Sequence, residues 1–386
     1  MTQNRDFVLA AGGTGGHMVP AAALAAELIR RGHSVALFSD ERGVRFPGLF
    51  DEIETHILPA GRMGGGPMGW VRAATSIVAG RSMAMGLFRQ RHPAAVIGFG
   101  GYPALPTLFG AFARHVPTVI HEQNAVLGRV NRLVAGKVDA IATSYPDVER
   151  LKPAYRGKTH LIGNPVRESV LTLRTRPYPL LEDDGIFRVL VTGGSQGASI
   201  LSEVVPDGLA LLPISFRRRL QVTHQARVED IDKVRAKYAE LSIAAELATY
   251  LPDLPEQLAW AHLVIARAGA STLAELTTAG RPAILVPLPS ATDDHQTANA
   301  REMASAGGAR VIDQRSFTPI ELAKQMQKLG LDPAALQNAA ARARGCGRPD
   351  AARDLADLVE SLDAPTSTTM IGAARPIKFG DQAAYA

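Results

Sequence analysis

Two glycine-rich turns, each set between an apolar strand-like run and a helix-like run, constrain the fold of this chain more than any other feature. The first turn, "GGTGG" at 12–16, follows "FVLAA", and the second, "GGSQG" at 193–197, follows "FRVLVT". A strand, a glycine turn and a helix in this order open a Rossmann-like unit. The chain therefore begins the same kind of unit twice.

Apolar strand-like runs alternate with helical runs through both halves of the chain, which predicts an α/β fold with two Rossmann-like, parallel-sheet lobes. Residues 20–31 and 126–134 are predicted helices, and the Pro-, Arg- and acid-rich stretch 173–185 is a predicted linker. Such lobes face each other across a cleft at the carboxyl ends of their strands, where α/β sheets bind ligands.

Composition indicates a globular protein and argues against a membrane-spanning one. The 386 residues are 46% hydrophobic and 20% charged, and Cys346 is the single cysteine, so a reducing compartment is expected. The N-terminus carries Asp6 and no basic region ahead of an apolar one, so we expect no signal peptide. The uncharged stretch 92–113 contains three prolines and four glycines, which disfavours a continuous spanning helix.

The distribution of charge is uneven. Residues 55–121 contain no Asp or Glu, and within them the Arg-rich stretch 62–91 interleaves arginines with Trp70 and aliphatic residues. One interpretation is a core-facing helix with arginines on its solvated side. The other is a basic, apolar surface that meets an anionic phospholipid membrane or a phosphorylated lipid. Nucleic acid is disfavoured because the basic residues lack the repeated aromatic interleaving of a base-stacking platform.

The glycine turns present backbone N–H groups at helix N-termini, which favours phosphate or diphosphate binding. Neither turn matches the P-loop pattern, and Met18 occupies the third glycine position of the dinucleotide pattern. Asp40 stands where a ribose carboxylate is expected, which keeps a dehydrogenase as a minor alternative. His17 follows the first turn directly and acts either as a helix cap or as a base for a sugar hydroxyl.

Seven motifs occur in the order found in the MurG family, and the chain resembles that family from residue 7 to residue 362. They are "GGTGGH", "GGYPALP", "HEQNAVLGRVNR", "GNPVR", "GGSQGA", "RAGASTLAEL" and "DDHQTANA". The resemblance implies a GT-B fold and inverting transfer of N-acetylglucosamine from UDP-N-acetylglucosamine to lipid I, which gives lipid II for peptidoglycan synthesis. It also implies a peripheral protein at the cytoplasmic face of the bacterial inner membrane.

The resemblance also sets the expected domains and partners. Residues 1–166 form an acceptor lobe that faces the membrane, and residues 167–345 form a lobe that binds UDP-N-acetylglucosamine. Residues 346–363 form a helix that packs back toward the first lobe, and residues 364–386 form a flexible tail. We expect no tightly bound cofactor and no metal ligands, although a divalent cation that accompanies the diphosphate stays open as a stimulant. The other expected partners are cell-wall synthesis proteins.

Carried onto this chain, the family pattern assigns most of the donor site to the second lobe. The second turn holds the UDP diphosphate, the "GASTL" turn lines the nucleotide pocket, and a carboxylate in the first turn of the following helix binds the ribose. Arg167 is a candidate diphosphate clamp, with an interdomain salt bridge as its alternative. The assigned residues are Gly194, Ser195, Gln196, Gly197, Leu251 against the uracil, Gly269, Ala270, Ser271, Thr272, Leu273, Glu275, the sugar-contacting His295 and Gln296, and Asn124.

The first turn, through Thr14, Gly15 and Gly16, is expected to face the acceptor diphosphate, the donor sugar, or both. Two residues compete for the role of catalytic base. His17 follows the turn, and Glu122 is a carboxylate at a strand end. The sequence leaves this choice open.

Three other functions remain as alternatives. A UDP-N-acetylglucosamine 2-epimerase would share the architecture and the donor. A nicotinamide dehydrogenase would need the glycine pattern that this chain lacks, and a non-catalytic phospholipid-binding protein would not need a second, nucleotide-binding lobe.

Overall fold

The structure, a computed structural model, describes residues 4–43, 49–61, 66–182, 184–194, 197–330 and 332–362. Two parallel sheets, one in each half of the chain, organise these residues, so the predicted α/β fold with two Rossmann-like lobes is confirmed. Among the described residues, no helix combines the length and the apolar character needed to cross a membrane.

The first sheet has seven strands in the order β3-β2-β1-β4-β5-β6-β7, all parallel. Because the order runs outward in both directions from the pair β1 and β4, the crossover between these two strands opens a crevice at their carboxyl ends. The strands are β1 Asp6–Ala10, β2 Ser34–Ser39, β3 Glu54–Ile57, β4 Ala95–Gly98, β5 Thr118–Glu122, β6 Ala140–Thr143 and β7 Thr159–Leu161. The helices among and after them are α1 Gly15–Arg30, α2 Gly66–Arg91, α3 Ala104–Arg114, α4 Arg129–Val134 and α5 Glu168–Leu171.

The second sheet repeats this order with six parallel strands, β10-β9-β8-β11-β12-β13. Its strands are β8 Phe187–Thr192, β9 Leu220–Gln225, β10 Ala244–Ala248, β11 Leu263–Ala266, β12 Ala283–Leu285 and β13 Ala309–Val311. Its helices are α6 Ser199–Ala210, α7 Ile214–Arg217, α8 Ile231–Glu240, α9 Leu254–Trp260, α10 Ala270–Ala279, α11 His295–Ser305, α12 Pro319–Gly330 and α13 Pro333–Gly345.

Three predicted elements differ from the structure. The first helix begins at Gly15, five residues before the predicted start at residue 20. Helix α4 begins at Arg129 and not at residue 126, because Gly128 has extended backbone and its N–H donates to the Glu122 Oε2 at 2.8 Å. The predicted linker opens on a 3₁₀ helix, Thr172–Thr175, whose Leu173 is fully buried in the core of the second lobe.

The last described helix, α14 Ala351–Ser361, packs against α1 of the first lobe. Leu355 and Val359 join the core cluster that contains Leu24 and Leu28 of α1. The chain thus crosses between the lobes twice, once before α5 and once before α14. The predicted domain limits stay predictions, since helix contacts do not fix where a domain ends, and the tail 364–386 lies outside the described residues.

Candidate active site

The first glycine turn connects β1 to α1 at the carboxyl edge of the first sheet. A Cβ on Gly12 would lie 2.7 Å from the Pro103 Cβ and 2.9 Å from the Asp40 Oδ1, and Gly13 has φ of +86°. The first position therefore has no room for a side chain, and the second has a backbone conformation that favours glycine. Thr14 is the exposed N-cap of α1, so the unpaired N–H groups of the first helical turn open at this edge.

His17 lies in the first turn of α1, partly exposed. Its Nδ1 lies 3.0 Å from the Gly12 carbonyl oxygen and 3.4 Å from the Thr14 Oγ1. Because a carbonyl only accepts, the neutral ring carries its proton on Nδ1 and its lone pair on Nε2. Burial lowers the pKa of His17 below 6.5, opposed by the Gly12 bond and the charge of Glu122, while the nearby His295 lowers it further. The ring is therefore neutral at pH 7.

Glu122 ends β5 and is 1% exposed. Its Oε1 accepts the Asn124 N–H at 3.0 Å and the Asn124 Nδ2 at 3.2 Å. Its Oε2 accepts the Gly128 N–H at 2.8 Å and the Asn131 Nδ2 at 2.9 Å. Each carboxylate oxygen thus has two donors, and the residue fixes the loop between β5 and α4.

The second glycine turn follows β8, with φ of +75° at Gly194 and +65° at Gly197. The Thr192 Oγ1 accepts the Gly194 N–H at 3.2 Å, and the Gln225 Nε2 donates to the Gly194 carbonyl at 3.0 Å. These bonds fix the start of the turn at the carboxyl end of the strand. The predicted contacts Ser195 and Gln196 lie outside the described residues.

A third strand-to-helix turn, predicted from "GASTL", connects β11 to α10, whose N-cap is Gly269. Ser271 and Thr272 are partly exposed there, whereas Ala270 and Leu273 are buried. The Ser271 Oγ is a buried polar atom without a hydrogen-bond partner. The hydroxyl in the first turn of α10 is therefore unused by the rest of the described chain.

Gln296, in the first turn of α11, connects the loops that follow β11 and β12. Its Oε1 accepts the Ala268 N–H at 3.2 Å and the Leu288 N–H at 3.0 Å. Because the amide oxygen is engaged in this way, the side-chain NH₂ group is the part left to donate to a sugar hydroxyl. The neighbouring His295 Nδ1 lies 2.8 Å from the Thr292 carbonyl oxygen, and its charge influences the pKa of His17 across the cleft.

Arg167, at the crossing into the second lobe, pairs with Glu275 of α10, with the Arg167 Nη2 2.7 Å from the Glu275 Oε1. Burial raises the pKa of Glu275, and the Arg167 charge opposes that rise. Glu275 is the sixth residue of α10, so the prediction that it lies in the first turn is wrong; the helix begins at Ala270. The Arg167 Nε is buried without a partner, so the guanidinium keeps a donor for another group.

The remaining predicted residues divide between the core and the lobe interface. Leu251 is 8% exposed and belongs to the core of the second lobe, so at most its edge reaches the cleft. The Asn124 Oδ1 accepts the Asn299 Nδ2 at 3.1 Å, which places Asn124 at the lobe contact.

Several residues of the site escape sequence reasoning. Asn299 donates to Asn124 and also accepts the Ala125 N–H at 2.8 Å, and Asn131 holds Glu122. Asn299 lies in the "DDHQTANA" motif, three residues after Gln296 on the same helix, so both the motif and the helical spacing are signals for it. Gly100 and Gly101, with φ of +90° and +75°, approach the His17 ring closely enough that a Cβ would lie 3.3–3.4 Å from its nitrogens.

Away from the cleft, α2 packs one stripe on α3 and exposes the other side. Trp70, Val71 and Val78 are each more than half exposed, and Arg72 and Arg81 are exposed beside them. An open groove of about 620 Å³ runs between these helices. Its lining residues are Trp70, Ala73, Ala74, Ile77, Val78, Arg81, Phe109, Phe112, Ala113 and Lys137.

Not every arginine of the stretch joins this surface. Arg91 pairs with Asp6 and Glu54 at the edge of the sheet, and Arg62 lies outside the described residues. Within the described ranges, no three His, Cys, Asp or Glu side chains are grouped so that they could hold a metal ion.

Comparison with known proteins identifies relatives of the whole chain. Residues 7–143 match the glycosyltransferase family 28 N-terminal domain, and residues 188–358 match the corresponding C-terminal domain. A protein of Zymomonas mobilis is 65% identical over 362 residues, and the match covers 94% of each chain. A protein of Novosphingobium aromaticivorans is 62% identical, again over 94% of each chain.

Both proteins are named UDP-N-acetylglucosamine–N-acetylmuramyl-(pentapeptide) pyrophosphoryl-undecaprenol N-acetylglucosamine transferase. Among solved structures, MurG of Acinetobacter baumannii superposes with a TM-score of 0.75 at 29% identity. That match covers 92% of this chain and 99% of the other. The two lobes therefore have the GT-B arrangement of that enzyme.

Proposed function

The chain belongs to the MurG family of glycosyltransferase family 28, and we propose on that basis how its cleft transfers N-acetylglucosamine from UDP-N-acetylglucosamine to lipid I. The product is lipid II, a disaccharide-bearing precursor of peptidoglycan. The observation that carries this function is the 65% identity to a named transferase over 94% of both chains.

His17 is the proposed catalytic base. Its Nδ1–H is held by the Gly12 carbonyl, so Nε2 accepts the proton of the C4 hydroxyl of the muramyl sugar. That oxygen attacks the anomeric carbon of the donor as the bond from this carbon to the UDP diphosphate breaks, which inverts the anomeric centre. The proton leaves the imidazole for solvent after the products separate. Glu122 is a poorer candidate because it is buried and each of its oxygens already accepts two hydrogen bonds.

Donor binding is proposed to use the carboxyl edge of the second sheet. The turn 194–197 receives the diphosphate on backbone N–H groups and the N-terminus of α6. Arg167 supplies a guanidinium to the same phosphates, and the free oxygen of its partner Glu275 accepts a ribose hydroxyl. Gln296 and His295 contact the sugar, and Leu251 borders the uracil.

Acceptor binding is proposed for the first lobe, with Thr14, Gly15 and Gly16 facing the acceptor diphosphate. The exposed aromatic and aliphatic side chains of α2, together with Arg72 and Arg81, form a surface suited to anionic phospholipid. We propose that this surface holds the enzyme peripherally at the cytoplasmic face of the inner membrane. Cell-wall synthesis proteins are the proposed partners there, and no nucleic acid is involved.

No tightly bound cofactor is part of this proposal. Stabilisation of the departing diphosphate is assigned to backbone N–H groups and Arg167. Titration with Mg²⁺ measures whether a divalent cation that accompanies the diphosphate stimulates transfer.

The test is transfer of labelled N-acetylglucosamine from the UDP donor to a short-chain lipid I analogue, with donor alone as the control. A labelled disaccharide lipid that forms only with acceptor supports the proposal. Conversion of the donor to its C2 epimer without acceptor would replace it with the 2-epimerase alternative.

A further inference from the structure

The turn that precedes α11 has an unusual backbone. In the 3₁₀ turn Thr292–Asp294, Asp293 has φ of +56° and Asp294 has φ of +52°. Two consecutive residues other than glycine in the left-handed region carry a conformational cost, which surrounding contacts must offset. This cost calls for a contact that holds the turn.

The contact comes from the opposite lobe. The Asp293 carboxylate, 15% exposed, receives the Arg132 Nη2 at 2.6 Å and the Arg150 Nη1 at 3.1 Å. Arg150 is itself a left-handed residue, with φ of +66°. Three of the non-glycine residues with positive φ among the described residues thus meet at one junction between the lobes.

Helix α11, which follows this turn, makes further contacts with the first lobe. Asn299 bonds Asn124 and the Ala125 N–H of the first lobe, and Arg301 pairs with Glu149. Between Asp293 and Asn299 lie His295 and Gln296, the residues proposed for the donor sugar. The helix that presents the sugar contacts is therefore attached to the acceptor lobe on both sides of them.

The contacts of Asp293 with Arg132 and Arg150 join different lobes, so they stabilise the docked arrangement and not either lobe alone. The Asp293 carboxylate is mostly buried and bridges two guanidinium groups. Its ionic interaction is therefore stronger than that of an exposed pair. The Arg301–Glu149 pair is such an exposed pair, with side chains 64% and 49% exposed. Asp293 is therefore the stronger ionic contact of the two.

We propose that Asp293 is a positioning residue, an ionic latch that holds the lobes docked and thereby sets His295 and Gln296 against the donor sugar near His17. The latch rests on the proposed transferase function, because it acts through the donor-sugar contacts. It touches neither substrate. Its loss leaves the UDP-binding turns in the second lobe intact.

The test compares Asp293→Asn, which keeps shape and tolerates the left-handed backbone, with the matched control Glu149→Gln at the exposed interlobe pair. In Asp293→Asn we expect kcat/KM for UDP-N-acetylglucosamine to fall by about tenfold or more, within the range of ordinary coupling between sites. Binding of UDP alone, measured by calorimetry, and the Tm should stay unchanged. Glu149→Gln should behave like the parent in all three measurements.

A second readout does not depend on turnover. After Cys346→Ser, dyes on cysteines introduced at the exposed Lys152 and Lys328 report the distance between the lobes by energy transfer. Asp293→Asn should lengthen the mean distance or broaden its distribution. Adding Arg132→Gln to Asp293→Asn should change the distance little further. Parent-like distance and kcat/KM in Asp293→Asn, or an equal loss of UDP binding, would overturn the latch. A parent protein that shows the docked distance but no transfer would instead count against the proposed function.

Discussion

At the scale of single residues, His17 combines a fixed tautomer with a lowered pKa. We expect His17→Ala to lower kcat by about 10²- to 10⁴-fold, the usual contribution of a general base. The Kd of UDP should change little, because the turn proposed to bind the diphosphate belongs to the other lobe. The matched control is His115→Asn, an exposed left-handed position that Asn tolerates. A parent-like kcat in His17→Ala would remove this residue as the base.

The pH dependence of kcat/KM follows from the same histidine. Burial lowers the pKa of His17 from 6.5, so the neutral base persists at pH 7 and is lost only as the pH falls through that lowered value. The acid limb of the profile should therefore lie below pH 6.5. His295→Gln removes the coulombic influence that lowers the pKa of His17, so that pKa and the acid limb should move to higher pH. An acid limb that moves to lower pH would contradict this assignment.

Glu122 gives a prediction about stability. In Glu122→Gln an NH₂ group replaces one oxygen and faces N–H donors that need an acceptor, which should cost about 1–3 kcal/mol of unfolding free energy. Urea titration measures this cost, with the exposed Glu256→Gln as control. Unchanged stability together with abolished turnover would return Glu122 to the role of base.

The sequence predicts a shared cleft for these residues but not their bonding. Motif order predicts that His17, Glu122, Arg167 and Glu275 share one cleft, because turns at the carboxyl ends of parallel strands converge. It did not show that Glu122 is saturated with donors or that Arg167 and Glu275 pair. These facts depend on side chains brought together from distant positions, and local spacing carries no signal for them.

At the scale of elements, the alternation of strand-like and helix-like runs correctly predicted two parallel sheets, whereas the predicted helix starts were less accurate. Helix α4 starts three residues later than predicted, because the Gly128 N–H donates to Glu122 and Gly128 has extended backbone. The Arg-rich stretch showed a similar limit. Its sequence was compatible with two interpretations, a core-facing helix with a solvated arginine side and a membrane-binding surface. The structure shows both a buried stripe on α2 and exposed aromatic and aliphatic residues.

Helix α2 supplies the prediction at this scale. Trp70→Glu places a negative charge on the exposed face, so binding to vesicles that contain phosphatidylglycerol should weaken by about tenfold or more, through lost apolar burial and charge repulsion. Co-sedimentation measures the bound fraction. Ile320→Glu, at an exposed position on α12 of the other lobe, is the matched control. Equal weakening in both variants would mean that α2 is not the membrane surface.

At the scale of the whole molecule, the C-terminal helix α14 completes the first lobe from the far end of the chain. Leu355 is fully buried in the core shared with α1, and Arg31, directly after α1, pairs with Asp357 and Glu360. The first lobe is therefore not finished where its sheet ends, and its stability depends on residues that follow the whole second lobe.

Leu355→Ala tests this dependence. Truncating a buried leucine should cost about 2–5 kcal/mol of unfolding free energy, through lost burial and the cavity left behind. Because the cavity opens against α1, hydrogen exchange should accelerate in α1 and β1, near the catalytic turn, more than in the strands of the second lobe. Arg353→Ala, which loses only an exposed pair with Asp350, should stay within about 0.5 kcal/mol of the parent. Faster exchange confined to the second lobe would show instead that α14 stabilises the lobe from which it emerges.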